Sequence, residues 1–192
     1  MHGPVSAAWL VVAVCAASGA YCLLRMRGAV GAERHAAGAD ALMGLGTAAM
    51  AVPAAVLTPP RAAWLACAAV FGAAALHAAW TARQDRGHLH HLVCSGAMVY
   101  MSLAMAAMPA MDGGMVHSTA GVSAVTGPLL LYFAGYALWG GIRLVPSAAP
   151  EPAGPGLRTP AVAVARWTDR PELARACRIG MSIGMLAMLL AL

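Results

Sequence analysis

The feature that most constrains this chain is a series of six apolar segments, each close to the roughly 20 helical residues that cross the hydrocarbon core of a bilayer. Only 10% of the 192 residues are charged, against about a quarter in soluble domains. The chain therefore lacks the polar surface of a soluble protein. We predict an all-α fold, a polytopic transmembrane bundle of about six helices with no soluble domain. The segments lie at 5–25, 39–57, 62–82, 90–109, 122–143 and 172–192.

The arginines predict the orientation of this bundle. Eleven of the twelve lie in or beside the connections between segments one and two, three and four, and five and six, and only Arg61 lies on the other side. Positive residues concentrate on the cytoplasmic side of membrane proteins, so both termini are expected outside. The net charge of +5 then reflects topology and does not indicate nucleic-acid binding. The tryptophans fit an aromatic belt, with Trp9 and Trp64 outside and Trp80, Trp139 and Trp167 inside.

We divide the chain into a five-helix transmembrane region (1–144), a Pro-rich cytoplasmic linker (145–171) and a sixth transmembrane helix (172–192). The linker holds half of the twelve prolines, a composition typical of extended connections. Pro53 and Pro128 fall inside the second and fifth apolar segments, where proline is expected to bend a helix.

Methionine forms stripes on the second, fourth and sixth helices. At the helical period, the members of each stripe fall within an arc of about 100° or less. A polar or titratable residue stands at the cytoplasmic end of each stripe. The stripes are Asp40, Met43, Thr47 and Met50; His91, Cys94, Met98, Met101, Met105 and Met108; and Cys177, Met181, Met185 and Met188.

If these stripes face one another, they form a sulfur-lined channel or groove. Thioether, thiolate and imidazole are the ligands that select Cu(I) over harder cations, and a series of weak sites lets an ion enter and leave. The sequence therefore predicts a Cu(I)-binding or transport protein. The predicted metal ligands are His91, Cys94, Met98, Met101, Met43, Met50, Cys177, Met181 and Met185.

A second interpretation treats the methionines as packing. Methionine fills irregular gaps in apolar cores, and a bundle rich in Ala and Gly has many gaps. In that case the protein is a non-catalytic structural or assembly subunit, whose Met-rich faces pack its own helices, a membrane-protein partner or a second copy of the chain. Met→Leu changes would then be tolerated.

Four histidines receive three different interpretations. His88 and His90 are expected in a solvated cluster at the cytoplasmic interface, whereas His91 begins the stripe of the fourth helix. His77 is predicted within the membrane, where an ionisable group should face a partner. A haem would need two such histidines at matched depth, which this pattern does not favour.

Asp40 is the carboxylate that enters an apolar segment. It is expected either to pair with Arg34 or Arg178 at the inner interface, or to accept a proton or cation near the stripes. Gly180 and Gly184 form a GxxxG motif that permits close approach of another helix.

The five cysteines predict no disulfide framework, because their number is odd and all of them lie in apolar segments. Cys15, Cys22 and Cys67 are interpreted as small buried apolar residues. The sequence contains no nucleotide-binding glycine loop, HExxH or G-x-S-x-G motif. We predict that the protein is not an enzyme.

Several stretches together resemble the domain-of-unknown-function family DUF5134 of actinobacterial integral membrane proteins. They are MHGPVSAAWL at the start, YCLLR at 21–25, DALMGLGTAAMAVP at 40–53, HHLVCSGAMVYM at 90–101 and the Met-bearing last helix. The resemblance implies a multi-pass protein of the bacterial plasma membrane, surrounded by lipid, and it implies no reaction, substrate or cofactor.

One position departs from the pattern of that family, in which a His-Ala-Leu-Met run opens the second helix. Here Asp40 stands before Ala41-Leu42-Met43, and the nearest histidine is His35. Because Asp is a hard ligand, this departure counts against a Cu(I) ligand at position 40.

Overall fold

The computed structural model of the protein describes residues 3–53, 56–82, 89–107, 122–144 and 171–191. These residues form six α-helices, which confirms the predicted all-helical fold. The predicted linker, apart from its last residue, lies outside the described residues, as do His88, Met108 and Trp167. The helices are α1 (Gly3–Gly28), α2 (Gly31–Met50), α3 (Arg61–Ala82), α4 (Leu89–Ala107), α5 (Ser123–Leu144) and α6 (Pro171–Leu190).

Five helices, α1 and α3 to α6, are long and apolar enough to cross a membrane. Large apolar side chains such as Leu10, Leu76 and Leu131 lie exposed on the outside of the bundle. A soluble protein would hide such residues from water, whereas a bilayer solvates them. The chain is therefore a multi-pass membrane protein.

The second helix differs from the prediction in both its bounds and its composition. It runs from Gly31 to Met50, whereas the predicted segment was 39–57. Gly31 adopts a positive φ of 58°, which is readily accessible to glycine and lets the chain turn directly from α1 into α2. The helix ends before Pro53, which lacks an N–H for a helical hydrogen bond. The predicted bend at Pro53 was therefore wrong, and α2, with Glu33, Arg34 and Asp40, is not among the five apolar helices.

Helices that follow one another in the chain pack as pairs, α1 with α2, α3 with α4 and α5 with α6. In addition, α6 packs against α1 and α2, and α2 packs against α4. The α1–α2 contact is a backbone contact, because a Cβ atom added to Gly44 would lie 2.8 Å from the backbone nitrogen of Gly19. The α2 helix thus stands between α1, α4 and α6.

The buried core of the described helices is rich in sulfur. The three methionine stripes turn towards one another, a point that the sequence had left open, and α3 and α5 add Phe71 and Phe133 to the same core. We call the sulfur-bearing residues of this buried cluster the sulfur core. They are Met43, Met50, Cys94, Met98, Met101, Met181 and Met185.

Candidate functional site

A buried ion pair joins the middle of α2 to the first turns of α6, near the start of α4. Asp40 is only 2% exposed. The Nε atom of Arg178 donates to its Oδ1 and Oδ2 atoms at 3.3 and 3.0 Å, and Nη2 of Arg178 lies 3.0 Å from Oδ2. A carboxylate in an apolar bundle needs such a partner, since its desolvation is costly. Of the two expected partners, Arg178 is confirmed, and Arg34 is exposed.

The α4 helix brings His91 to the same carboxylate. Its Nε2 atom lies 3.6 Å from Oδ1 of Asp40, and its side chain is 13% exposed. Asp40 therefore draws together three helices, α2, α4 and α6. His91 had been predicted as a metal ligand, and in the structure one of its ring nitrogens faces this ion pair.

His90, which the sequence suggested would be solvated, lies instead inside a network of aromatic and sulfur side chains. One ring nitrogen, Nδ1, lies 3.0 Å from the hydroxyl of Tyr132. The other, Nε2, lies 3.5 Å from Sγ of Cys94, one helical turn along α4. The imidazole stacks on Tyr136 with 3.8 Å between the ring centroids. Tyr132 and Tyr136 of α5 thus fix the orientation of the ring beside the thiol.

The two networks border one cavity, which we call the small cavity. It has room for a single water-sized particle, about 10 Å³, the least that holds a water molecule. Polar groups come from Asp40, the two histidines and Ser182, and soft sulfur groups come from three methionines and one cysteine. The lining residues are Asp40, Met43, His90, His91, Cys94, Met181, Ser182 and Met185.

The remaining sulfur core lies farther along the same helices. Met98 is fully buried, and the hydroxyl of Thr47 lies 3.9 Å from its sulfur. Met50 and Met101 line a second cavity of about 300 Å³ at the end where α2, α4 and α6 finish. We call it the methionine cavity, because Met105 and Met188 also line it.

Cys177 does not join the sulfur core, contrary to the prediction. Its side chain lies beside Cys22 and Ser18 of α1. The cause is the position of α6, which packs against α1 as well as α2, so the first turn of its stripe faces α1. Cys22 is accordingly more than an apolar filler.

The other predicted histidines line a third cavity, of about 240 Å³, between α2, α3 and α4. His35, His77 and His91 border it, and His91 and Met43 also border the small cavity. His77 is exposed, which corrects the expectation that it faces a partner within the bundle. His35 is exposed as well, and its Nδ1 atom lies 3.0 Å from the carbonyl oxygen of Gly31.

The donor set limits the chemistry of the site. In the part of the chain that the structure describes, no three His, Cys, Asp or Glu side chains are grouped so that they could hold a metal ion. A metal in the small cavity would therefore need methionine sulfur. Such a donor set suits a soft monovalent ion and suits Mg²⁺, Ca²⁺ or Zn²⁺ poorly.

The sequence did contain a signal for His90 that the stripe analysis missed. His90 and Cys94 are four residues apart, a spacing that places two side chains next to each other on a helix. Only His91 had been assigned to the stripe, although His90 lies only about 40° from Cys94 around the helix. Tyr132 and Tyr136, which also lie four residues apart, carried the matching signal on α5.

Comparison with known proteins adds one result. Residues 32–192 match the family described as "Domain of unknown function (DUF5134)", and this match covers most of the chain. The chain belongs to this family, as the resemblance indicated. No curated protein sequence and no solved structure matches it.

Proposed function

We propose that this member of the DUF5134 family is a non-enzymatic protein of the bacterial plasma membrane that binds Cu(I) in the small cavity and hands it on through the bundle. One observation carries the proposal. Three methionines, Met43, Met181 and Met185, line a cavity of single-ion size together with Cys94 and His90. Thioether, thiolate and imidazole are the donors that select Cu(I).

The charges around the cavity support this assignment. Arg178 already neutralises Asp40, so the carboxylate is not free to attract a hard cation. When Cu(I) binds, Cys94 can release its proton and act as a thiolate, because a metal ligand must be deprotonated. One positive ion and one thiolate then leave the site neutral, which an apolar environment favours.

Asp40 has a supporting role in this proposal. Its contacts with Arg178 and His91 hold α2, α4 and α6 around the cavity. The acidic residue at this position is then compatible with Cu(I), because the ligands come from the sulfur-bearing residues and His90. The hydroxyl of Tyr132 would orient the imidazole of His90, as hydrogen-bond partners of metal-binding histidines do in other proteins.

The methionine cavity supports handling rather than permanent storage. Further thioethers line this cavity at the opposite end of the bundle, from Met50, Met101, Met105 and Met188. Met98 is buried in the sulfur core, to which residues of both cavities belong. Weak sites in series let an ion move on, whereas one tight site would retain it.

Packing is the second candidate function, and Met98 favours it. This side chain is fully buried and lies in the aromatic and sulfur core with Phe71 and Phe133, where methionine serves as a filler. Because the sulfur core faces the inside of the bundle, its methionines are turned away from any partner protein. In this case the sulfur core stabilises the fold and binds no ion.

The two candidates differ in a titration of Cu(I) against a coloured Cu(I) chelator, with purified protein kept anaerobic and reduced in detergent. The wild-type protein should take copper from the chelator at micromolar affinity or tighter. The double variant Met43→Leu/Met181→Leu should bind at least tenfold more weakly and keep its thermal stability. Met26 lies in α1 and lines neither cavity. Met26→Leu is therefore the matched control, and it should bind copper like the wild type. Retention of all copper by the chelator in the presence of wild-type protein would overturn the proposal.

A further inference from the structure

The α6 helix packs closely on α1 at Gly184, because this glycine carries no side chain. A Cβ atom added to Gly184 would lie 2.8 Å from Sγ of Cys15, and one added to Gly180 would lie 3.4 Å from Cγ1 of Val14. This is the close approach that a GxxxG motif permits, and it confirms that the motif packs inside the bundle.

The same register brings two thiols together. One turn before Gly184, Gly180 faces the part of α1 that follows Cys15 by about one turn. Cys177 lies about one turn before Gly180, so it faces Ser18 and Cys22 farther along α1. The glycine contacts set this register, because a Cβ atom added to Gly180, one turn beyond Cys177, would lie 3.9 Å from Oγ of Ser18. Cys22 is 2% exposed, whereas Cys177 is half-buried, and both thiols are free.

We propose that Cys22 and Cys177 are an oxidisable dithiol that closes a reversible disulfide between α1 and α6. A disulfide needs Cα atoms about 4.4–6.8 Å apart, and the close packing of α6 on α1 at Gly184 favours such a short separation. The pairing is selective, because Cys15, on the same face of α1, lies opposite Gly184 and has no thiol to meet. Cys94 is held on α4 beside His90.

The oxidant is a small peroxide, which reaches the half-buried Cys177 first. The Cys177 thiolate attacks one peroxide oxygen, breaks the O–O bond and becomes a sulfenic acid, while the other oxygen leaves as water. The Cys22 thiol then attacks the sulfenic sulfur and displaces a second water as the S–S bond forms. Two thiols lose two electrons, and one hydrogen peroxide becomes two waters.

The disulfide would act on the first turn of α6. Arg178 follows Cys177 directly and holds Asp40, and Met181 lies one turn farther on. A covalent bond to α1 would fix this turn in place. The inference does not depend on copper binding, since it rests on the α1–α6 contact alone.

The test is to treat the purified, reduced protein with hydrogen peroxide, block the remaining thiols with an alkylating reagent, and map peptides by mass spectrometry. We expect a disulfide-linked peptide pair that contains Cys22 and Cys177, reversed by dithiothreitol, with Cys15, Cys67 and Cys94 alkylated. Cys15→Ser should still form the link, and Cys22→Ser should lose it. The wild-type result needs no variant to fold. Full alkylation of Cys22 and Cys177 after peroxide, a link to another cysteine, or separate sulfinic acids at the two positions would each overturn the proposal.

Discussion

Asp40 and Arg178 lie 138 residues apart in the chain, yet Nε and Nη2 of the guanidinium both lie 3.0 Å from Oδ2 of the carboxylate. The pair joins the middle of α2 to the first turns of α6. The carboxylate side chain is 3% exposed and the arginine side chain is 33% exposed. The two partners therefore differ in how well each could tolerate the loss of the other.

This difference predicts an asymmetric effect of substitution. Arg178→Ala should lower the free energy of unfolding by about 3 kcal/mol, because it leaves a buried carboxylate without its main counter-charge. Asp40→Ala should lower it less, because the long arginine side chain can extend to the interface. The double variant Asp40→Leu/Arg178→Leu should be more stable than Arg178→Ala, since no buried charge remains. Thermal unfolding in detergent micelles measures the order, and equal losses in the two single variants would contradict it.

The contact between α1 and α2 predicts that Gly44→Ala is poorly tolerated. The new Cβ would lie 2.8 Å from the backbone nitrogen and 2.9 Å from the Cα of Gly19, and neither atom can move without the helix. We expect a loss of about 1–3 kcal/mol in stability. Gly96→Ala is the control, because nothing lies within 4 Å of its added Cβ. Helix propensity should make that change neutral or stabilising by up to about 1 kcal/mol. Equal melting temperatures for the two variants would show that the helices are not in backbone contact.

The hydrogen bond between Tyr132 and His90 predicts an effect on copper that a similar bond elsewhere should not have. Tyr132→Phe removes the hydroxyl that lies 3.0 Å from Nδ1 of His90. Loss of such an orienting partner typically weakens metal affinity by roughly 10–100-fold. Tyr100→Phe makes the same chemical change at a hydrogen bond of 2.8 Å to Thr126, away from the small cavity.

Both tyrosine variants should lose about 1 kcal/mol of stability, the usual net value of one hydrogen bond. Only Tyr132→Phe should weaken Cu(I) binding in the chelator titration. Equal affinities in the two variants would remove His90 from the proposed set of ligands.

The fixed period of a helix predicted that the methionines of each stripe share one face, but it left open whether the three faces meet inside the bundle. Met43, Cys94, Met98 and Met181 each lie on the face that their spacing indicated, and all are buried. The cost of an isolated charge in an apolar bundle favoured an arginine partner for Asp40, with Arg34 and Arg178 as the two candidates. These predictions needed no knowledge of which helices are neighbours.

Features that depend on which helices pack against each other could not be predicted from the sequence. Cys177 shares a face with Met181, but only the packing of α6 between α1 and α2 shows that its thiol meets Cys22. His90 lies one helical turn from Cys94 on α4, but only the packing of α5 shows that Tyr132 and Tyr136 hold its ring beside the small cavity. The α2 helix ends at Met50, before Pro53, whereas Pro53 had been predicted to bend the helix.

The nearest neighbours of bound copper test the central claim most directly. X-ray absorption of the wild-type protein loaded with one equivalent of Cu(I) should show copper bonded mainly to sulfur, with one nitrogen neighbour from His90. The same measurement on Met43→Leu/Met181→Leu should show fewer sulfur neighbours. Copper bonded only to nitrogen and oxygen in the wild-type protein would contradict the account.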